Sequence, residues 1–125
     1  MKSYTDLEQS RKLAKILPIE SADGYWFKGF PSQPYMVYTK GTPNPGKHIP
    51  CWSLAALLNV LPTTIGNFFE KNALRLRMDK GENDFNIWYD NFDYGDVAEE
   101  LDVKENNPVD ACVEMILKLH EQKIL

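Results

Sequence analysis

The sequence has few of the residues that build common catalytic and metal-binding sites. Its 125 residues include two Cys and two His. Two Cys are too few for a disulfide framework, so a reduced pair is expected. With so few His, general acid–base chemistry would fall on carboxylates, and none stands in a recognisable motif. Because a Gly-rich phosphate loop and a nucleotide-binding fingerprint are also missing, the sequence favours a non-enzymatic protein without a cofactor.

Long hydrophobic runs are missing as well. The longest, Leu54 to Leu61, is interrupted by Asn59, whereas a membrane-spanning helix needs about 20 apolar residues. The start of the chain, MKSYTDLEQSRKLAK, has no apolar run suited to a signal peptide. We therefore expect a cytoplasmic protein that does not associate with membranes. With 43% hydrophobic and 26% charged residues, the chain should form a single globular domain over residues 1–125.

The charge is modest in sum but uneven along the chain. The net charge is −4, yet residues 79–105 contain ten acids and two lysines, a local balance of −8. The first fifty residues contain seven basic and four acidic side chains. We read residues 90–105 as an acidic link, with a helical turn around Val97 to Leu101. Its expected partner is a protein with a basic surface.

Two pairs of segments have the patterns of strands. ALRLRMD and DFNIWYD alternate apolar and polar residues around a Gly-containing turn, which predicts an antiparallel hairpin with one buried face. GYWFKGF and PYMVYTK flank a Pro-containing stretch and predict a hairpin or a bent strand pair. The next segment, GTPNPGKHIP, has three Pro and two Gly and is expected to be a loop.

Helix signals mark three further segments. A first helix is predicted from Asp6 to Leu17, with Thr5 and Glu8 as a capping box. CWSLAALLNVLP predicts a short helix capped by Ser53. NNPVDACVEMILKLHEQKIL predicts a C-terminal helix with an Asn cap followed by Pro at the first helical position. Residues 63–72, which include Phe68 and Phe69, are ambiguous and allow one more helical turn.

Together these elements predict an α+β fold. We expect a mainly antiparallel sheet of about four strands, formed by the two hairpins, covered on one face by two to three helices including the C-terminal helix. The apolar side of that helix should pack on the sheet. Its Cys112 and His120 are therefore expected to be structural.

One basic-aromatic group could form a binding surface. Arg75, Arg77 and Trp88 would share the polar face of the sheet, and Trp26 and Lys28 would join them if both hairpins belong to one sheet. Guanidinium and indole groups on an open sheet suit single-stranded nucleic acid. The neighbouring acids would repel phosphate, which favours an ordinary polar face. A protein-interaction module is thus the main hypothesis, and a nucleic-acid-associated protein is the alternative.

The Cys and His residues allow two readings: a metal or thiol site, or packing in the apolar core. His48, Cys51, Cys112 and His120 are zinc-ligand types, but their spacing is unlike that of known ligand pairs. Either Cys could be a nucleophile only with a base and partial exposure, and apolar packing is favoured for both. In DNFDYGDVAEE, Phe92 stands where a calcium loop needs a ligand. No metal site is predicted, and a thiol or carboxylate enzyme remains an alternative.

Three stretches carry a resemblance: ILPIESADGYW, IPCWSLAALLNVLP and NPVDACVEMILKLHEQKIL. They resemble a family of small uncharacterised proteins of gut anaerobic bacteria, often encoded in prophages or other mobile elements. The resemblance implies a cytoplasmic or phage-derived protein. It brings no catalytic residues to this sequence, and it does not extend to the hairpins or the acidic segment.

Overall fold

The computed structural model describes residues 2–27, 36–38, 47–66, 73–91 and 94–125. Its contacts divide the chain into two compact units, Met1–Asn59 and Val60–Leu125. The predicted α+β class, the antiparallel strand pairing and the C-terminal helix are confirmed. A single domain over residues 1–125 stays a prediction. Within the described ranges, every helix is too short or too polar to cross a membrane.

The first unit is built on a three-stranded antiparallel sheet. Strands β1 (Gly24–Phe27), β2 (Met36–Tyr38) and β3 (His48–Cys51) lie in the order β2-β1-β3. The predicted pairing of the two aromatic segments is confirmed by the register of β1 with β2. The loop prediction for GTPNPGKHIP is wrong at its end, because residues 48–50 pair with β1. Pro50 fits there because β3 is an edge strand of this sheet and can lack one backbone donor.

Helix α1 (Leu7–Ala14) begins one residue later than predicted and ends three residues earlier. Its capping box is Asp6 with Gln9, not Thr5 with Glu8. Thr5 is unavailable because its backbone N–H donates to the Trp52 carbonyl (2.9 Å), while its hydroxyl accepts from the Trp52 N–H (3.1 Å). The buried Thr5 thus fastens the start of the chain to the residue that follows β3.

Helix α2 (Leu54–Val60) has the predicted cap. The Ala56 N–H donates to the Ser53 hydroxyl oxygen at 3.2 Å, which satisfies one of the free donors of the first turn. Asp23 in turn accepts hydrogen bonds from the Ser53 N–H and hydroxyl. Cys51 lies before the helix in β3, and its side chain is buried.

The second unit contains a four-stranded antiparallel sheet. Its strands β4 (Thr64–Ile65), β5 (Leu74–Lys80), β6 (Phe85–Asn91) and β7 (Val97–Glu105) lie in chain order. The predicted β5–β6 hairpin is confirmed residue by residue. The helical turn predicted around Val97 to Leu101 is wrong, because the acidic segment forms β7. The two predicted hairpins belong to different sheets, and the suggested helical turn at Phe68 and Phe69 lies outside the described residues.

Helix α3 (Pro108–Glu121) covers one face of this sheet by packing on β7 and β6. The predicted Asn107 cap is confirmed, since its side chain accepts a hydrogen bond from the Asp110 N–H at 2.9 Å. The buried side chains of the helix recur at helical spacing: Val109, Ala111, Cys112, Val113, Met115, Ile116 and Leu119. Each large apolar side chain buried in this way stabilises the fold by about 1.5–3 kcal/mol.

The sheet side of this core is supplied by alternate residues of two strands. Ile87 of β6 is paired with Val103 of β7, and both are buried. Tyr89 is also buried, and its hydroxyl donates to the Pro62 carbonyl at 2.6 Å. Burial, and secondarily the nearby Cys112 thiol, raise the pKa of Tyr89. The hydroxyl therefore stays protonated and keeps its role as a donor.

Replacing Ile116 by Ala tests this packing. The Ile116 side chain is fully buried, so the variant should lose about 2–5 kcal/mol of unfolding free energy, because the contacts are lost and a cavity remains. Urea unfolding followed by circular dichroism measures the change. Ile124→Ala is the matched control, because Ile124 is 37% exposed and its truncation should have a much smaller effect. Equal losses in the two variants would contradict the packing.

Candidate interaction surface

The face of the second sheet opposite the buried core carries part of the predicted basic-aromatic group. Arg75 is paired with Asp90, and Arg77 with Trp88, across β5 and β6. Arg75, Arg77 and Trp88 therefore share one face, as the alternation predicted. Trp26 does not join them, because it lies in β1 of the other sheet, where its indole N–H donates to the Thr5 carbonyl at 3.0 Å. Lys28 lies outside the described residues.

A single carboxylate organises this face. Asp90 is 6% exposed, and its two oxygens accept from different partners. The Arg75 Nε lies 2.9 Å from Oδ1, and the Trp88 indole nitrogen lies 3.2 Å from Oδ2. The Asp90 carboxylate offsets the charge of the Arg75 guanidinium. Its hydrogen bond from the Trp88 indole N–H also holds that ring in place. This arrangement weakens the case for phosphate binding, since one of the two cations of the face, Arg75, is already matched by a buried acid.

Strand β7 adds more acid beside this network. Asp102 is paired with Trp88, and Lys104 with Asn86. The Asn86 side-chain amide donates to the Asp102 carboxylate at 2.9 Å and to the Val103 carbonyl at 2.6 Å. These bonds hold β7 against β6 in register. The face as a whole is therefore of mixed charge rather than basic.

The outer edge of β7 is the second feature of this surface. Among the described residues, β7 pairs with β6 on one side and with no strand on the other. Residues 102–105 and Val97 are paired with β6, and the register shifts between them. In the regularly paired part, about half of the backbone N–H and C=O groups point away from the sheet, because pairing alternates along an antiparallel strand. The strand also carries four acids and one base: Glu99, Glu100, Asp102, Glu105 and Lys104.

The turn that leads into β7 presents two exposed apolar side chains. Its backbone is closed by hydrogen bonds from the Asn91 N–H to the Asp96 carbonyl (2.7 Å) and from the Gly95 N–H to the Asn91 carbonyl (2.8 Å). Gly95 has a φ of 71°, a conformation that residues with a side chain rarely adopt. Tyr94 is 72% exposed and Val97 is 45% exposed. The acidic edge therefore begins beside an apolar patch.

At the other end of β7, two carboxyl groups meet. The Glu105 side chain is hydrogen-bonded to Glu114 of α3, and this contact, then burial, then the charges of Glu114 and Asp110, raise the pKa of Glu105 to about 7. Two carboxyl groups can share a hydrogen bond only if one of them is protonated. The pair therefore binds a proton in the folded state at pH values where a free carboxyl would have lost it.

The Cys and His residues considered as nucleophiles or metal ligands lie in different environments. Cys51 and Cys112 are free thiols with buried side chains, and burial raises the pKa of each to about 12, helped at Cys51 by Asp23. Both thiols are thus unsuited to nucleophilic attack near neutral pH. The exposed His120 lies with Nδ1 3.1 Å from the Leu125 carbonyl. Within the described ranges, no group of three or more His, Cys, Asp or Glu side chains could hold a metal ion.

Comparisons with protein-family models, curated proteins and solved structures gave no match to this chain. The surface is therefore interpreted from its own geometry. Sequence reasoning identified the residues of the polar face but missed that the acidic segment is an edge strand. The alternation of Leu101 and Val103, both buried, was the available signal.

Removing the Asp90 carboxylate tests whether it organises the polar face. Asp90→Ala should lower the unfolding free energy by about 1–3 kcal/mol, because partly buried donors of Arg75 and Trp88 lose their acceptor. Chemical denaturation gives the loss. Asp79→Ala is the control, since Asp79 is an exposed acid of β5 and should matter less. A smaller loss in Asp90→Ala than in the control would show that the network contributes little.

The Glu105–Glu114 pair predicts a pH dependence of stability. The pKa of Glu105 is raised to about 7 in the folded protein, from 4.5 for a free glutamate side chain. Between these values the folded state binds more protons than the unfolded state, so this pair makes stability fall as pH rises from about 4.5 to about 7. Denaturation series across this range should show that Glu105→Gln reduces the fall. Glu100→Gln, an exposed acid of the same strand, should follow the wild-type profile, and identical profiles for all three proteins would contradict the assignment.

Proposed function

We propose that this protein is a small non-enzymatic interaction module. Its partner is a protein that presents an extended, basic segment, and that segment pairs with the outer edge of β7. The observation that carries the proposal is the acidic outer edge of the nine-residue strand β7, which no other strand of the described part of the chain covers. Strand addition of this kind takes its affinity from backbone hydrogen bonds and its specificity from alternate side chains.

The charge on β7 supports a basic partner in particular. Exposed sheet edges are often protected by charged side chains against pairing with other chains. A second copy of β7 would bring acids opposite acids, and like charges directly opposite each other destabilise a strand pair. A segment with Lys or Arg at alternate positions would instead place opposite charges across the strand pair, which stabilises it. The same side chains would therefore reject self-association and select a basic strand.

The apolar patch gives the proposed partner a second contact. Tyr94 and Val97 are exposed at the beginning of the edge, so a basic segment with one apolar residue at its matching end would bury them. We also propose a cytoplasmic location, which the free thiols Cys51 and Cys112 support. An origin in a phage or other mobile element rests on the resemblance described above.

Selection from a displayed library of random nine-residue peptides tests the proposal. Peptides retained by the protein should be enriched in Lys and Arg at alternate positions, and their binding should weaken as salt is added because the attraction is electrostatic. A pool without basic enrichment would contradict the proposal. Binding of a selected peptide should be followed by fluorescence anisotropy.

Charge reversal at the edge supplies the matched control. Glu100→Lys with Asp102→Lys should abolish binding of the selected peptide. Glu82→Lys with Glu121→Lys changes the net charge equally at exposed acids outside β7 and should preserve most of the affinity. Equal effects would indicate general attraction to an acidic protein.

The nucleic-acid alternative gives a different result. It requires binding of a single-stranded oligonucleotide that weakens steeply with salt and is lost in Arg77→Ala. The exposed Arg77 lies opposite Trp88 on the polar face, so its removal should leave peptide binding at the β7 edge unchanged.

A further inference from the structure

A cleft in the first unit lies beside the end of α1. Its volume is about 430 Å³, which is within the range of small-molecule sites. The lining combines positive charge with apolar surface and includes Arg11, Lys15, His48, Ile19, Ile49 and Pro50. None of the described lining residues is an acid. The cleft therefore combines apolar side chains with two exposed cations, Arg11 and Lys15, which we call its positive rim.

The positive rim follows from the spacing along α1. Arg11 and Lys15 are four residues apart, and Lys15, the C-cap of the helix, keeps a helical backbone conformation. Side chains at this spacing lie on the same side of a helix. Cations near the carboxyl end of a helix also suit its dipole. That effect explains the charges, but it does not explain the apolar surface next to them.

The apolar surface is open to a ligand. Ile19, in the short 3₁₀ turn Ile19–Ser21, is 41% exposed although it lines the cleft. Ile49 and Pro50 of β3 are only partly buried. Covering such side chains with an apolar group releases water and stabilises a complex. A ligand that satisfies both parts of the cleft needs an apolar body and one negative group.

Aromatic contacts hold one lining residue of the cleft, His48. The ring of His48 lies 4.3 Å from the ring of Tyr25 and 5.5 Å from the ring of Phe27, measured between centroids. These contacts join neighbouring strands of the sheet and hold the His48 ring in place.

We propose that this cleft binds a small organic carboxylate with an apolar aliphatic body. The carboxylate lies at Lys15 and Arg11, and the aliphatic chain lies on Ile19, Ile49 and Pro50. This site is independent of the β7 edge, since all of its lining residues belong to the first unit. Ligand binding here is a further activity of the chain, beside the proposed interaction with a basic segment.

Three probes with the same body and different charge test the proposal. Octanoate, octanol and octylamine are titrated separately into the full-length ¹⁵N-labelled protein, and amide shifts are followed by NMR. Octanoate should shift the amide signals of residues 11–15, His48 and Ile49 and should bind more tightly than octanol, with octylamine weakest. Equal affinity for the three probes, or no octanoate shift in these segments, would overturn the proposal.

A charge reversal on α1 separates the cleft from general attraction. Lys15→Glu should weaken octanoate binding by about tenfold or more, as expected for loss of a charge-assisted contact, and should strengthen octylamine binding. Lys12→Glu is the matched control on the same helix, because Lys12 is exposed and does not line the cleft. Its octanoate affinity should stay close to that of the wild type. Equal weakening in both variants would overturn the site.

Discussion

The packing of α3 on the inner face of β6 and β7 is the constraint on which the second unit depends. Side chains of a strand alternate between faces, so a shift of one residue would exchange the buried and exposed sets. Leu101 and Val103 lie in the core with α3. Glu100 and Asp102 must then lie on the other face, because burying them unpaired would cost several kcal/mol each, roughly the penalty for a buried ion. The helix thus determines where the acids of β7 lie.

The charged side chains of the second unit lie in two different environments. On the polar face, Asp90 is buried and matched by Arg75 and the Trp88 indole, so charge there is used within the fold. Along β7, three acids, Glu99, Glu100 and Asp102, are exposed and outnumber the single Lys104. Only the second arrangement leaves a net field that can select a partner. This difference is why the proposed function is placed at the edge rather than on the basic-aromatic face.

Sequence reasoning succeeded where a local pattern determined the structure. The α3 cap and the β5–β6 hairpin needed only short-range information, and both are confirmed. The predicted buried face is wrong for β5, where Leu74 and Leu76 are only partly buried and Met78 is exposed. Sequence reasoning also failed for β7, where the acids hid the alternation of Leu101 with Val103, and for β3, where Pro50 suggested a loop although an edge strand accepts it. The assignment of the hairpins to separate sheets and the meeting of Lys15 with His48 at one cleft depend on tertiary contacts, which spacing along the chain does not reveal.

Among the described strands, β7 pairs with β6 on one side and has an open edge on the other. Amide hydrogen exchange along Val97–Glu105, followed by NMR, tests it most directly. The account predicts slow exchange for the amides bonded to β6, fast exchange for those that alternate with them, and protection of the fast set when a basic strand is added. Uniformly fast exchange would mean that the strand is not formed, and uniformly slow exchange would mean that its outer edge is already covered.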